Sequence, residues 1–283
     1  MSGDEGPMLR RRRLGVELKR CREAAGLTQE QVSQHFEWHA AKMTRVETAK
    51  VAVTSRDVKD LLTLYDVHDG EYRDGLVELA RSSRGRPWWA EYRDIVQPDS
   101  YIALEAEASA LRNWEPTVIP GLLQTEAYMR ALFATVAAAG RRIGIDRAVS
   151  LRRARQRRLT GDPTLALYAI IDESTIRRQI GGQAVMTAQL RHLTTLSELP
   201  NVQVQILPYS AGEHPLLGTS LAILEFHDAA DLDIVYLEGT GRPAHHIRQP
   251  AEVVRHREQF ERLSMRCLDH PQSMKMIEDV ITG

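Results

Sequence analysis

The side chains best equipped to do chemistry in this sequence are cationic. They gather in three places: Arg10 to Arg13; the stretch holding Lys42, Thr44, Arg45 and Lys50; and the arginines between Arg147 and Arg158. Guanidinium and ammonium groups donate strong hydrogen bonds to phosphate and carboxylate oxygens, although scattered surface charge taken alone is more often a solvated helix face. Other candidates are weaker. Asp172 and Glu173 form an acidic pair, but they sit where a following helix favours negative charge at its start. His245 and His246 are adjacent, so neither a strand nor a helix would turn both to one metal ion. Cys21 and Cys267 stand far apart, each without a second cysteine or histidine at ligand spacing, which points away from a disulfide or a zinc site. There is no His-Glu-x-x-His, Gly-x-Ser-x-Gly or phosphate-binding loop, and Gly181-Gly182 and Gly239-Thr-Gly241 read as isolated turns. The expectation is a protein without catalytic machinery, cofactor or metal.

The bulk composition sets the frame for these residues. A chain of 283 residues, 43% hydrophobic and 27% charged, is that of an ordinary globular protein with one to three domains. The formal net charge of -1 leaves any basic module to be found locally. Two lone cysteines fit a reducing cytoplasm. No apolar run approaches the roughly 20 residues that span a bilayer, and no apolar signal core follows Arg10 to Arg13, so no membrane association is expected.

Hydrophobic spacing then supplies the elements that must position the cations. Residues 1–13 read as a disordered basic arm, with order beginning at Leu14. Leu14, Leu18, Cys21 and Ala25 form one helix face, closed by Gly26. Thr28 and Gln31 make a capping box for a second helix whose apolar face is Val32 and Phe36. A third runs from Ala40 to Thr48, with Met43 and Val46 on one side and Lys42, Thr44 and Arg45 on others; two more follow around Val58 to Tyr65 and Tyr72 to Ala80. Residues 14–81 thus form a five-helix domain, and 82–90 read as a linker, marked by the run Arg81-Ser-Ser-Arg-Gly-Arg-Pro87 that begins at the domain's last residue. Residues 91–283 read as a mixed α+β domain with a small sheet. Helices are expected over Tyr101 to Trp114, Thr125 to Ala138, Asp146 to Leu159, Ala184 to Leu199, Pro250 to Cys267 and Gln272 to Ile281. Strands are expected over Leu165 to Ile171, Val202 to Leu207, Ser220 to Phe226 and Asp233 to Leu237.

The stretch Leu27-Thr-Gln-Glu-Gln-Val-Ser-Gln-His-Phe-Glu-Trp-His-Ala-Ala-Lys-Met-Thr-Arg-Val-Glu47 resembles the phage-repressor (Cro/C1, or Xre) helix-turn-helix family. Leu27, Thr28, Gln29, Val32, Ser33, Phe36, Met43, Val46 and Glu47 carry the resemblance; Glu37 departs from it, at a turn position where the family has glycine. The resemblance implies that His39, Ala40, Ala41, Lys42 and Arg45 face bases or adjacent phosphates of double-stranded DNA, and that Glu47 pairs with Arg22. Thr44 shares that surface. On this alignment Arg45 is the strongest base reader, since its planar fork can donate two hydrogen bonds to guanine, whereas alanine offers only contact with a thymine methyl. Gln29, at the amino end of the second helix, and Lys50, just beyond the third, suit phosphate and would position rather than specify.

Beyond Trp88 the chain resembles the uncharacterised domain that follows such modules in many actinobacterial, antitoxin-like regulators, through Glu115-Pro-Thr-Val-Ile-Pro-Gly-Leu-Leu-Gln-Thr-Glu-Ala-Tyr128, Arg152-Arg-Ala-Arg-Gln-Arg-Arg158 and Val202-Gln-Val-Gln-Ile-Leu-Pro208. That resemblance implies a small companion protein as partner and carries over no ligand or catalytic residue. The expectation is a homodimeric, sequence-specific transcriptional regulator with a partner- or signal-receiving second domain. Two alternatives stand beside it: an antitoxin-like protein that restrains a companion and binds DNA only to regulate itself, and a small-molecule sensor. The arginines from Arg147 to Arg158 read first as solvated or paired within the molecule, and Arg10 to Arg13 equally as a DNA arm or a solubilising run.

Overall fold

The structure, a computed structural model, describes residues 6–85, 87–97, 100–138, 144–226, 233–239 and 242–283. Met1 to Glu5 of the expected arm, Thr240 and Gly241 of one expected turn, and the side chain of His245 lie outside the described residues. By its packing the chain divides between Glu107 and Ala108 into two units.

The first unit is helical: α1 (Pro7–Ala24), α2 (Gln29–His35), α3 (Ala41–Glu47), α4 (Ser55–Leu64), α5 (Gly70–Ser82) and a short α6 (Tyr101–Glu105). Leu14, Leu18, Val32, Met43, Val46, Val58, Leu61, Leu62 and Leu76 share one core, which accounts for the apolar spacing of the five main helices. Capping boxes begin α2 (Thr28 with Gln31) and α4 (Thr54 with Asp57), and Asp69 caps α5. Helices α1 to α4 end alike. The residue after each C-cap has a left-handed backbone, with φ of 68° at Gly26, 55° at Glu37, 59° at Ala49 and 58° at Asp66. The next amide then reaches back five residues: Leu27 to the Arg22 carbonyl (3.1 Å), Trp38 to Ser33 (2.8 Å), Lys50 to Arg45 (2.8 Å) and Val67 to Leu62 (3.0 Å). Glu37 therefore adopts the conformation that glycine would favour, at a cost of roughly 1 kcal/mol.

Two expectations are corrected here. Residues 7–13 are not a disordered arm but the first turns of α1. Pro7 suits the first helical turn, Met8 and Leu9 are buried to 4% and 3% exposure, and Arg12 is buried as well. The run of arginines masks this apolar start in the sequence. Its free amides are satisfied from afar: Met8 N–H donates to Glu107 Oε1 at 2.7 Å and Leu9 N–H to Glu107 Oε2. Nor does 82–90 end the first unit. Trp88–Tyr92 forms a short 3-10 turn, and Trp89, Tyr92, Val96, Ala103 and Leu104 are buried, which places everything to Glu107 in the first unit.

The second unit holds a six-stranded mixed sheet in the order β3-β2-β1-β4-β5-β6. Its strands are β1 (Ala110–Glu115), β2 (Ala166–Asp172), β3 (Val202–Leu207), β4 (Thr219–Glu225), β5 (Ile234–Gly239) and β6 (Arg242–Ile247). The β1–β2 and β2–β3 pairs are parallel, and the remaining three pairs are antiparallel. Helices α7 (Glu126–Ala138) and α8 (Ile145–Gln156) connect β1 to β2; α9 (Glu173–Arg177) and α10 (Gln183–Leu196) connect β2 to β3; α11 (Pro250–Ser264) and α12 (His270–Thr282) close the chain. Trp114, Ile170, Leu221, Ile223 and Val235 pack with Val253, Phe260 and Leu263 of α11. The four expected strands are present, but Ala110–Glu115 was expected at the end of a helix and is instead an inner strand. Its polar residues are satisfied laterally: Arg112 Nε donates to Glu225 at 2.9 Å, and Asn113 Nδ2 to the Leu221 carbonyl at 3.2 Å.

Two outcomes follow. Glu37→Gly should stabilise the protein by about 0.5 to 1 kcal/mol in denaturant unfolding, because it relieves the left-handed backbone. Burial raises the Glu107 carboxyl to about 7, outweighing the Met8 and Leu9 amides and the nearby Arg11, which favour the charged form. A raised carboxyl keeps its proton in the folded protein where the unfolded chain has lost it, so its contribution is fully present at low pH and fades as pH climbs to about 7. Glu115 is moved in the same direction by burial, and His192 and His214 in the direction that opposes this slope. The test is therefore the difference from Glu107→Gln: wild type should lose more stability than the variant between pH 5 and 8.

Candidate nucleic-acid interface

The third helix is held from one side and open on the other. On the held side, the Arg22 guanidinium of α1 grips the Glu47 carboxylate at the end of α3 with two bonds, Nε to Oε1 at 2.6 Å and Nη2 to Oε2 at 3.0 Å. The two side chains are 8% and 2% exposed, so this is a buried pair. The remaining hydrogen-bonding capacity is used as well: Arg22 Nη1 donates to the Leu27 carbonyl at 2.7 Å, and Gln29 Nε2 of α2 donates to Glu47 Oε2 at 2.6 Å. Thr44 Oγ1 donates to Gln29 Oε1 at 2.7 Å, closing a chain through α1, α2 and α3. Backbone contact is equally close, since a Cβ on Gly15 would stand 2.6 Å from the Glu47 carbonyl oxygen and 2.9 Å from that of Val46. Glycine in mid-helix lets α3 rest on α1.

The open side carries the residues singled out in the sequence. His39, Ala40, Ala41, Thr44, Arg45 and Lys50 are exposed, and Lys42 and Gln29 are half-buried. Arg45 and Lys50 have no side-chain partner among the described residues. Lys42 is more constrained, with Nζ 3.5 Å from the centre of the Trp38 ring and 3.9 Å from Asp57 Oδ2. Trp38, which stacks on Phe36 at 5.0 Å, was not recognised from the sequence as the platform for this lysine. Because α3 has no side-chain cap of its own at Ala40, His39 Nδ1 lies at the long limit of a bond from the Ala41 amide, 3.4 Å. Gln29 and Thr44 belong to both sides: their positions border the open face, but their polar groups are directed into the network behind it. Thr48, also exposed, was overlooked; its hydroxyl donates to the Thr44 carbonyl at 2.7 Å.

The other cationic and acidic candidates serve the fold. Arg11 donates to the Ser83 carbonyl at 3.1 Å, and Arg12 is buried. In the second unit, Arg152 donates to Gln124 and lies 4.6 Å from the Phe133 ring, Arg153 pairs with Glu126 at 3.2 Å, and Arg158 donates to the Ala108 carbonyl. Asp172 caps α9 by accepting from the Ser174 amide at 2.9 Å, while Glu173 binds Arg177 at 2.7 Å and the Tyr209 amide at 2.8 Å. The His246 ring lies 5.2 Å from that of Tyr236. Among the described residues no helix is long and apolar enough to cross a membrane.

Comparison with known families finds one match in each part of the chain. A helix-turn-helix domain matches residues 13–76, and a domain of unknown function, DUF5753, matches residues 98–279. No curated protein and no solved structure matches the chain.

Removing one partner of the buried pair strands the other charge. Glu47→Ala should cost about 3 to 5 kcal/mol in denaturant unfolding, whereas the double variant Arg22→Met/Glu47→Leu should recover most of that loss. Equal destabilisation by both would mean that packing at this point, not charge, holds α3.

Proposed function

We infer the function from one premise: the chain belongs to the DUF5753 family and carries a helix-turn-helix domain ahead of that region. It is a DNA-binding regulator of the Xre type that acts by binding rather than catalysis. Helix α3, seven residues and so about 10 Å long, enters the major groove with its open face toward the bases. Arg45 reads guanine with its two-pronged donor; Lys50 and Lys42 meet phosphate; His39, Ala40 and Ala41 allow close approach at the amino end. Gln29 and Thr44 are reassigned from contacting DNA to orienting the helix that does. The observation that carries this reading is Arg45, exposed and unpartnered on a helix whose opposite face is locked by a buried ion pair.

With so few base-reading side chains, one copy distinguishes few base pairs. The reading therefore includes a homodimer on a two-fold operator, with the second unit receiving a signal or partner in the cytoplasm. A companion-protein reading of the second unit draws on Tyr209, Leu217 and Met265, 58%, 65% and 78% exposed. The Arg266 guanidinium ties their segments together by donating to the Ala211 and Glu213 carbonyls. Stable co-purification with the product of an adjoining small reading frame would favour it.

Fluorescence anisotropy on operator and unrelated duplexes tests the DNA reading. Arg45→Ala should lose about 1 to 3 kcal/mol on the operator, roughly 5- to 150-fold, and little on unrelated DNA. Lys50→Ala should weaken both alike and lower the salt slope by about 1. Operator binding unchanged in Arg45→Ala would remove that residue from the reading role.

A further inference from the structure

Within the first unit, away from the α3 face, the amino end of α1 and the segment after α5 enclose a cavity of about 430 Å3. That size lies within the range of roughly 300 to 1,000 Å3 common for small-molecule sites. Its walls are partly apolar, with Met8, Val96 and Trp89, and three arginines line it: Arg11, Arg84 and Arg93. No carboxylate lines it among the described residues. Arg84 and Arg93 are exposed, and neither guanidinium has a hydrogen-bond or ion-pair partner among the described residues. Behind the same wall, the indole N–H of Trp89, on a side chain only 5% exposed, and Nε of Arg11 are both buried without an acceptor.

Folded proteins seldom leave buried donors unpaired, and a cavity lined by three cations would ordinarily recruit an acid from the chain itself. Here positive charge meets apolar walls, and although Glu107 stands near Arg11, the described wall supplies no counter-charge to Arg84 or Arg93. The complementary ligand has oxyanion acceptors at one end and a flat apolar body at the other. Guanidinium forks suit the first part, and the Trp89, Met8 and Val96 surface suits the second.

We propose that this cavity is a binding site for a small organic oxyanion, with Arg84 and Arg93 holding the charged end and Trp89 flanking an apolar, aromatic body. The site is separate from the proposed DNA-reading face. Its position gives it a direct bearing on the reading head: Met8 and Arg11 lie on α1, the helix whose Arg22 fixes Glu47 of α3.

Calorimetric titration of the full chain with 1-naphthyl phosphate and with 1-naphthoate, at fixed ionic strength, tests the proposal. At least one probe should bind saturably with a Kd below about 1 mM, and Arg84→Ala/Arg93→Ala should weaken it about tenfold or more. 1-Naphthol, which has the ring without the charge, and inorganic phosphate, which has the charge without the ring, should each bind far more weakly. Both arginines are exposed, so the double variant should keep the wild-type melting temperature, and its loss of binding can then be assigned to the site. Failure of both charged probes to bind, or equal binding by wild type and the double variant, would overturn the proposal. So would a result in which the double substitution leaves probe binding intact and lowers only the salt slope for unrelated duplex DNA, since those guanidinium groups would then serve a nucleic-acid backbone.

Discussion

The geometry of the first unit rests on the buried ion pair between Arg22 and Glu47. Removing two charges from water costs several kcal/mol for each ion, and their attraction offsets this only where geometry is good and the remaining donors and acceptors are satisfied. Both conditions hold here. The guanidinium meets the carboxylate with two bonds, its third nitrogen reaches Leu27, and Gln29 approaches the carboxylate from a second helix. An apolar contact of equal area would hold the helices together with less control over their orientation. A paired fork and carboxylate tolerate little rotation, so the pair fixes which side of α3 faces outward.

That constraint divides the polar side chains of the motif between two tasks. Gln29 and Thr44 border the open face, yet their hydrogen bonds run inward and extend the Arg22–Glu47 network. Lys42 is drawn toward Trp38 and Asp57. What remains open is Arg45, Lys50 and a smooth amino end containing Ala40 and Ala41. Under the proposed function, a surface with one strong hydrogen-bonding fork and small neighbours approaches DNA closely but reads few bases directly, which leaves much of any discrimination to the shape and deformability of the duplex.

How far the sequence foretold this depends on whether local or distant contacts decide each element. The cap at Thr28 and Gln31, the apolar spacing of α1 to α5 and the exposed placement of Arg45 follow from residues close in the chain, and all were legible. The start of α1 was not. Its Met8 and Leu9 amides are satisfied by Glu107, nearly a hundred residues away, while the neighbouring arginines look like a solvated tail. Strand β1 was hidden for a related reason: Arg112 and Asn113 break its apolar pattern, and only Glu225 and Leu221 on the neighbouring strand make them tolerable. At the candidate interface, residue types indicated which positions border the face, but not that Gln29 and Thr44 turn their polar groups away from it. The DUF5753 region carries no motif whose spacing dictates a chemistry, and Arg152 and Arg153 of α8, with Arg158 in the turn after it, are spent on contacts within the unit.

The longest element of the first unit, α1, gives these separate contacts a common axis. Near one end its amides are held by the Glu107 carboxylate; about 20 Å further along, near the other, Arg22 holds the Glu47 carboxylate. An unbroken helix is stiff along its axis, and Gly15 between the two points is covered by the end of α3, where an added methyl would have no space. A displacement of the amino end therefore cannot be absorbed by bending at that glycine without disturbing α3 itself. A ligand that binds more tightly to one position of the α1 amino end than to another can bias the orientation of α3 by at most that difference in binding free energy, and the stiffness of the segment between them is what would carry it.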